Sequence, residues 1–224
     1  MHIEPGLVDS TKIVLSYATA ATGIAFAARM AWQHVRVDGL PSLILRGAIA
    51  TVLVFVFFEV FPHMPVGVSE VHLILGSSLF LIFGAAPTAI GLVAGLMIQS
   101  FFVSPADLPQ LGMNVTTLLA ALFAMQEVAR RIVPANLAYV DLSYAHVFRL
   151  SLVFQGTIVA WVAFWTLYGQ GLSPATLQSV ATFGAAYMTV LLLEPLVDMA
   201  VLAGAKALRG RPGAALLASR RLYA

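Results

Sequence analysis

The chain has 224 residues, of which 60% are hydrophobic and 10% charged, with a formal net charge of +2 and a mean hydropathy of +0.93. That is more apolar surface than one soluble core of this size can hide, so a soluble globular domain is excluded and a polytopic membrane protein is expected. Cysteine is absent, which removes disulfides, thiolate metal sites and a cysteine nucleophile, and the scattered Lys and Arg carry no nucleic-acid signature.

In chain order, Glu4 and Asp9 precede the first base, Lys12. A secretory signal opens on a positive region instead, so the amino terminus is expected to be mature. Seven apolar spans follow, at about 13–32, 42–61, 71–83, 87–103, 115–129, 150–168 and 180–203. Crossing the hydrocarbon takes about 20 helical residues. The third and fourth spans are shorter, so their ends should meet protein or water rather than lipid. Gly84, Ala85, Ala86 and Pro87 are read as the turn between them, and Trp161, Trp165 and Tyr168 of the sixth span as an aromatic belt.

Glu194 and Asp198 of the last span lie four residues apart and so on one helical face, and Pro195 should bend that helix. Acids inside a membrane are functional candidates. A proton or ion pathway, a contact with a partner subunit, and pairing with Arg149 or Lys206 are the readings they allow.

Charge sets the orientation. With the carboxyl terminus in the cytoplasm, Arg29, Arg36, Arg46, Arg130, Arg131, Arg149, Lys206, Arg209, Arg211, Arg220 and Arg221 all fall inside, and only Lys12 falls outside. The expected fold is therefore an all-α bundle of about seven transmembrane helices in the inner (cytoplasmic) membrane, amino terminus outside. It forms one integral-membrane domain, 1–224, with an extracytoplasmic segment at 1–12, the bundle at 13–205 and a basic cytoplasmic tail at 206–224. The same assignment puts His63, Glu70, His72 and the loop 107–114 on the outer face, beside the amino terminus.

A free terminal amine followed by His2 can close two fused chelate rings, offering the amine of Met1 with the amide and imidazole nitrogens of His2. A fourth nitrogen, for which His72 is the first choice, completes a planar field suited to Ni(II), Cu(II) or Co(II) rather than to the oxygen-seeking Mg or Ca. His2 in a frayed tail is the plainer alternative. His63 is read as a further ligand, a gate or an interfacial loop residue. Glu70 is read as offsetting cation charge or as capping the third helix. His34 and His146 belong to the opposite, cytoplasmic side.

The start Met1 to Gly6, MHIEPG, the segment VGVSEVHLILGSSL, the run from Phe83 to Phe102 and the tetrapeptide Leu111-Gly112-Met113-Asn114 together resemble the CbiM/NikM family. These are the substrate-capture (S) subunits of energy-coupling factor transporters for cobalt and nickel. The resemblance implies metal ligands at Met1, His2 and His72. Gln99 and Asn114 match polar positions of the family and would steady the loop around the terminus; helix-to-helix hydrogen bonding is their alternative. Ser69, Glu70 and His63 would surround the site. The family more often writes Gly-Thr-Ser-Gly-His where this chain has Gly67-Val68-Ser69-Glu70-Val71-His72, one residue longer and acidic.

The resemblance also implies partners: a transmembrane coupling (T) subunit, ATP-binding cassette ATPases and a small accessory membrane subunit. The chain has no phosphate loop of its own, so it is not expected to hydrolyse ATP or to be an enzyme, and no catalytic cofactor is expected. Transported Co2+ or Ni2+ is the bound ligand. A stand-alone secondary transporter using Glu194 and Asp198 is the alternative; an intramembrane metalloenzyme built on His63, Glu70 and His72 lacks the His-Glu-x-x-His pattern.

Overall fold

The computed structural model describes residues 3–61, 63–211 and 213–223, with only the backbone of 214 and 215. Single glycines turn the chain where loops would cost length. Gly39 alone separates α1 (Val14–Asp38) from α2 (Leu40–Glu59), and Gly84 alone separates α3 (Gly76–Phe83) from α4 (Ala85–Phe102). Both have φ of 84°, a conformation that a side chain with Cβ rarely adopts. The expected four-residue turn is thus one residue: Ala85, Ala86 and Pro87 already form the first turn of α4, where proline's missing N–H costs nothing.

Between α2 and α3 lies a hairpin, β1 (Met64–Val66) with β2 (Ser69–Val71), paired Met64↔Val71, Pro65↔Glu70 and Val66↔Ser69. After α4, a 3-10 turn at Pro105–Gln110 leads into α5 (Leu111–Ile132), and one at Tyr139–Asp141 precedes α6 (Tyr144–Gln170). The chain continues through α7 (Pro174–Met188), α8 (Glu194–Ala207) and two short turns, α9 (Ala214–Leu217) and α10 (Arg220–Tyr223). Among the described residues five helical stretches are long and apolar enough to cross a membrane: 40–59, 85–102, 105–132, 144–170 and 174–207. The protein is a polytopic membrane helix bundle. α1 is long but carries Arg29, Arg36 and Asp38 and falls outside that set.

Close helix packing comes from small residues. A Cβ on Gly91 would stand 2.5 Å from Ala50 Cβ, and one on Gly95 2.7 Å from Val54 Cγ1, so α4 and α2 approach along a Gly-x-x-x-Gly face. In hydrocarbon, where apolar burial gives helices no reason to prefer one another over lipid, such contact is what holds them.

Further expectations change. The third span is not a helix from Val71: β2 ends there, residues 72–75 are irregular, and α3 starts only at Gly76. Irregular backbone at this depth is tolerated because it is covered by protein; Ile74 and Leu75 are buried. The last span breaks after Met188 into a 3-10 turn, Thr189–Leu192, before Pro195 starts α8 rather than bending it. Trp165 is fully buried, so it is a core residue and not part of a lipid-facing belt.

The buried acids pair with neither Arg149 nor Lys206. Asp198 accepts hydrogen bonds from the hydroxyls of Ser77 (2.6 Å) and Ser78, at the first turn of α3. The residue before α3, Leu75, sits at φ 54° and supplies no side-chain cap. Asp198 therefore caps α3 from across the bundle, where a carboxylate also meets the positive end of the helix dipole. Glu194 Oε2 accepts from the Ser151 hydroxyl and from Gln155 Nε2 (2.6 Å), both on α6. Lys206 instead donates to Asp141 at 2.6 Å, and that bond holds the Asp141 carboxyl below the usual carboxylate range.

Candidate metal site

The amino-terminal segment is pinned to the bundle at four points. Ile3 forms an antiparallel bridge with Ser69, and Glu4 donates its N–H to the Val68 carbonyl at 3.2 Å, extending the hairpin by a partial third strand. The Ile3 N–H is given to Asn114 Oδ1 at 3.1 Å, a buried bond across 111 residues. Leu7 and Val8 are buried, and the Leu7 carbonyl runs so close to α6 that a Cβ on Gly169 would lie 2.1 Å from its oxygen. Finally, Lys12 Nζ donates to the carbonyls of Tyr168 (3.0 Å) and Gly169 (3.4 Å), placing a cation on the negative end of α6. Asp9 folds the intervening turn by accepting from the N–H groups of Thr11 and Lys12, both at 2.9 Å; the Thr11 hydroxyl does most to hold its carboxyl below the usual range.

Each anchor has a local cause. The two-residue hairpin turn needs positive φ at its first position, and Gly67 supplies φ 64° there. Gly112 lets the start of α5 lie against Ser16 of α1, where a Cβ would meet Ser16 Oγ at 2.6 Å. That contact fixes the level of Asn114, half a turn further on.

His72 follows β2 directly and is 1% exposed. Glu70 Oε2 bonds its Nε2 at 2.8 Å, which orients the ring and sets where its proton resides, as carboxylate partners do for metal-bound histidines. Phe58 packs edge-on against the ring, and the exposed His63 stacks over it with centroids 5.0 Å apart and planes 9° from parallel. Stacked rings hold their lone pairs in parallel planes, so His63 covers His72 in this arrangement. Glu70 lies in β2, six residues before α3 starts at Gly76, and so does not cap that helix.

Asn114 and Gln99 are both buried at this end of the bundle, near the start of α5 and the end of α4. Asn114 Nδ2 and Gln99 Oε1 have no hydrogen-bond partner among the described residues. Among those residues no group of three or more His, Asp or Glu side chains gathers to hold a metal. The expected ligands Met1 and His2 lie outside the described residues; Ser69 and Asn114 hold Ile3, the residue that follows them, while His72 contacts Glu70 and His63 at the hairpin. Sequence reasoning missed Gly169 and the Lys12 anchor; a glycine pair flanking the end of the sixth span, Tyr168-Gly169-Gln170-Gly171, was the available signal.

These features define an all-helical integral-membrane protein whose amino-terminal segment is locked onto a hairpin beside a buried histidine. A family model described as CbiM, cobalt uptake substrate-specific transmembrane region, matches residues 2–211, and the chain belongs to that family, one of transport rather than catalysis. No curated protein sequence matches. Among solved structures, the crystal structure of a truncated transition metal transporter superposes with a TM-score of 0.68 over 93% of this chain and 97% of its own, at 17% identity, a likeness of fold.

Proposed function

We propose that this chain is the substrate-capture subunit of an energy-coupling factor transporter, taking up Co(II) or Ni(II) at its outer face. The bundle crosses the inner membrane about seven times with the amino terminus outside. The ligands are the Met1 amine, the amide and imidazole nitrogens of His2, and the His72 imidazole. The observation that carries this reading is the double anchoring of Ile3, by Ser69 and by Asn114, with buried His72 following the strand that Ser69 begins. It ties down the residue that follows His2. Family membership supports cobalt as cargo, and planar nitrogen donors suit both metals.

Glu70 orients His72, Asn114 holds the segment, and His63 covers the ring. A loaded chain is then reoriented by a coupling subunit driven by ATPase partners, with a small accessory membrane subunit completing the assembly. Glu194 and Asp198 fasten α8 to α6 and α3, whose side chains donate to them. The test is uptake of radiolabelled cobalt and nickel by vesicles. Uptake is expected only when ATP, the coupling subunit and the ATPases accompany this chain, and binding should weaken steeply from pH 8 to pH 5 because amine and amide must lose protons. Uptake by the chain alone, or affinity indifferent to pH, contradicts the proposal.

A further inference from the structure

Far from the hairpin, where α1, α2, α4 and α5 end or begin, a cavity of about 290 Å3 opens among Asp38, Arg46, Arg130, Tyr139, Arg220 and Arg221. Ligand pockets run from about 300 to 1,000 Å3, so this one has room for a headgroup and not for a whole lipid or cofactor. We propose that it binds the phosphate of an anionic membrane lipid.

Charge is the first argument. Four arginines line the cavity, where Asp38 is the lining carboxylate; Arg130 also lies 3.7 Å from Glu127. The Asp38 carboxylate is already shared, accepting from Arg220 Nε and lying 3.8 Å from Arg46 Nη1 and 3.6 Å from His34 Nδ1. Arg46 is 1% exposed, so its charge has left water. Arg221 lies over the Tyr139 ring at 5.1 Å and donates Nη2 to the Pro134 carbonyl at 3.0 Å, while its Nε is buried with no hydrogen-bond partner among the described residues.

Backbone is the second argument. Gly84 and Ala85 line the cavity, so the amino-terminal end of the 18-residue α4 opens on it with its positive dipole end. The carboxyl-terminal segment is held there as a wall: Ser219 donates its N–H to the Ile82 carbonyl at 2.6 Å, and Arg46 Nε donates to the Leu216 carbonyl at 2.9 Å. Position is the third. The cavity sits at the tips of membrane-crossing helices, on the end that the positive-inside pattern assigns to the cytoplasm. Basic pockets between helices at that level are where phosphate headgroups are held. Arginine's planar fork is also the side chain best matched to phosphate oxygens.

The test is lipid titration of delipidated, detergent-purified protein, read by native mass spectrometry. Phosphatidylglycerol is compared with phosphatidylcholine, with inorganic phosphate as competitor. Wild type should retain phosphatidylglycerol at least tenfold more tightly than phosphatidylcholine. R130Q/R220Q/R221Q should lose that preference, R130K/R220K/R221K should keep most of it, and R29Q/R149Q/R211Q, equal in charge change but outside the cavity, should leave it intact. Arg46 is left untouched because its burial makes misfolding a confounder. Rescue by lysine separates headgroup binding from a mere loss of tail packing. Equal retention of both lipids, or an unchanged preference in the glutamine variant, overturns the proposal. So does displacement of the lipid by micromolar inorganic phosphate, which would make a soluble anion the occupant.

Discussion

The buried polar groups of the interior and those at the hairpin end make their contacts in different ways. In the interior, Asp198 and Glu194 of α8 take donors from α3 and α6, so every contact joins one membrane helix to another. At the hairpin end, Asn114 and Ser69 each hold Ile3, and His72 bonds Glu70. The first cluster fastens the bundle; the second fastens a terminal segment. Burial of polar groups alone therefore does not mark a transport site in this fold. What marks it is which part of the chain the buried groups hold.

That contrast can be broken by substitution. The largest effect belongs to the interior: Asp198→Ala removes the cap of α3 and strands two buried serine hydroxyls, costing about 3 to 5 kcal/mol. The expected result is a large fall in melting temperature, or failure to accumulate folded protein. An unchanged melting temperature would remove the helix-fastening role. Next comes Gly169→Val, which drives a side chain into the Leu7 carbonyl. Metal affinity should fall by at least about a hundredfold, about 2.7 kcal/mol, in calorimetric titration. Melting should change little, because only the segment is displaced; a parallel loss of melting temperature would mean that segment and bundle are one unit. The smallest effect is expected from Asn114→Ala, which deletes one buried acceptor and should weaken metal binding by about five- to thirtyfold, 1 to 2 kcal/mol. Full affinity in that variant would detach Asn114 from the segment's role.

The same contrast explains what the sequence disclosed. Long apolar runs carry a strong signal, so the helices from Leu40, Ala85, Leu111 and Tyr144 lie within a few residues of where hydropathy puts them. The hairpin escaped because its strands are three residues each, too short for a period of two to stand out, and Val71 to Phe83 reads as one apolar run. Yet Val66-Gly67-Val68-Ser69 holds a turn glycine between β-formers. The break before α8 was half legible: Pro195 marks it, but the sequence does not say whether proline bends a helix or starts one. The partners of the acids were not legible, since Ser77 and Ser78 lie more than a hundred residues from Asp198. His72, Asn114 and Glu70 were legible as chemistry before their contacts were known, because a histidine, an amide and an acid in apolar surroundings need partners.

The central claim is that the terminal amine and His2 complete the site at His72, and it is tested by isothermal titration of metal-stripped protein with Co(II) and Ni(II), comparing the native amino terminus with a version carrying a few extra residues before Met1. The account predicts that the extended protein stays folded and loses tight binding of both metals. Tight binding that survives the extension would contradict it, because the amine could not then be a ligand.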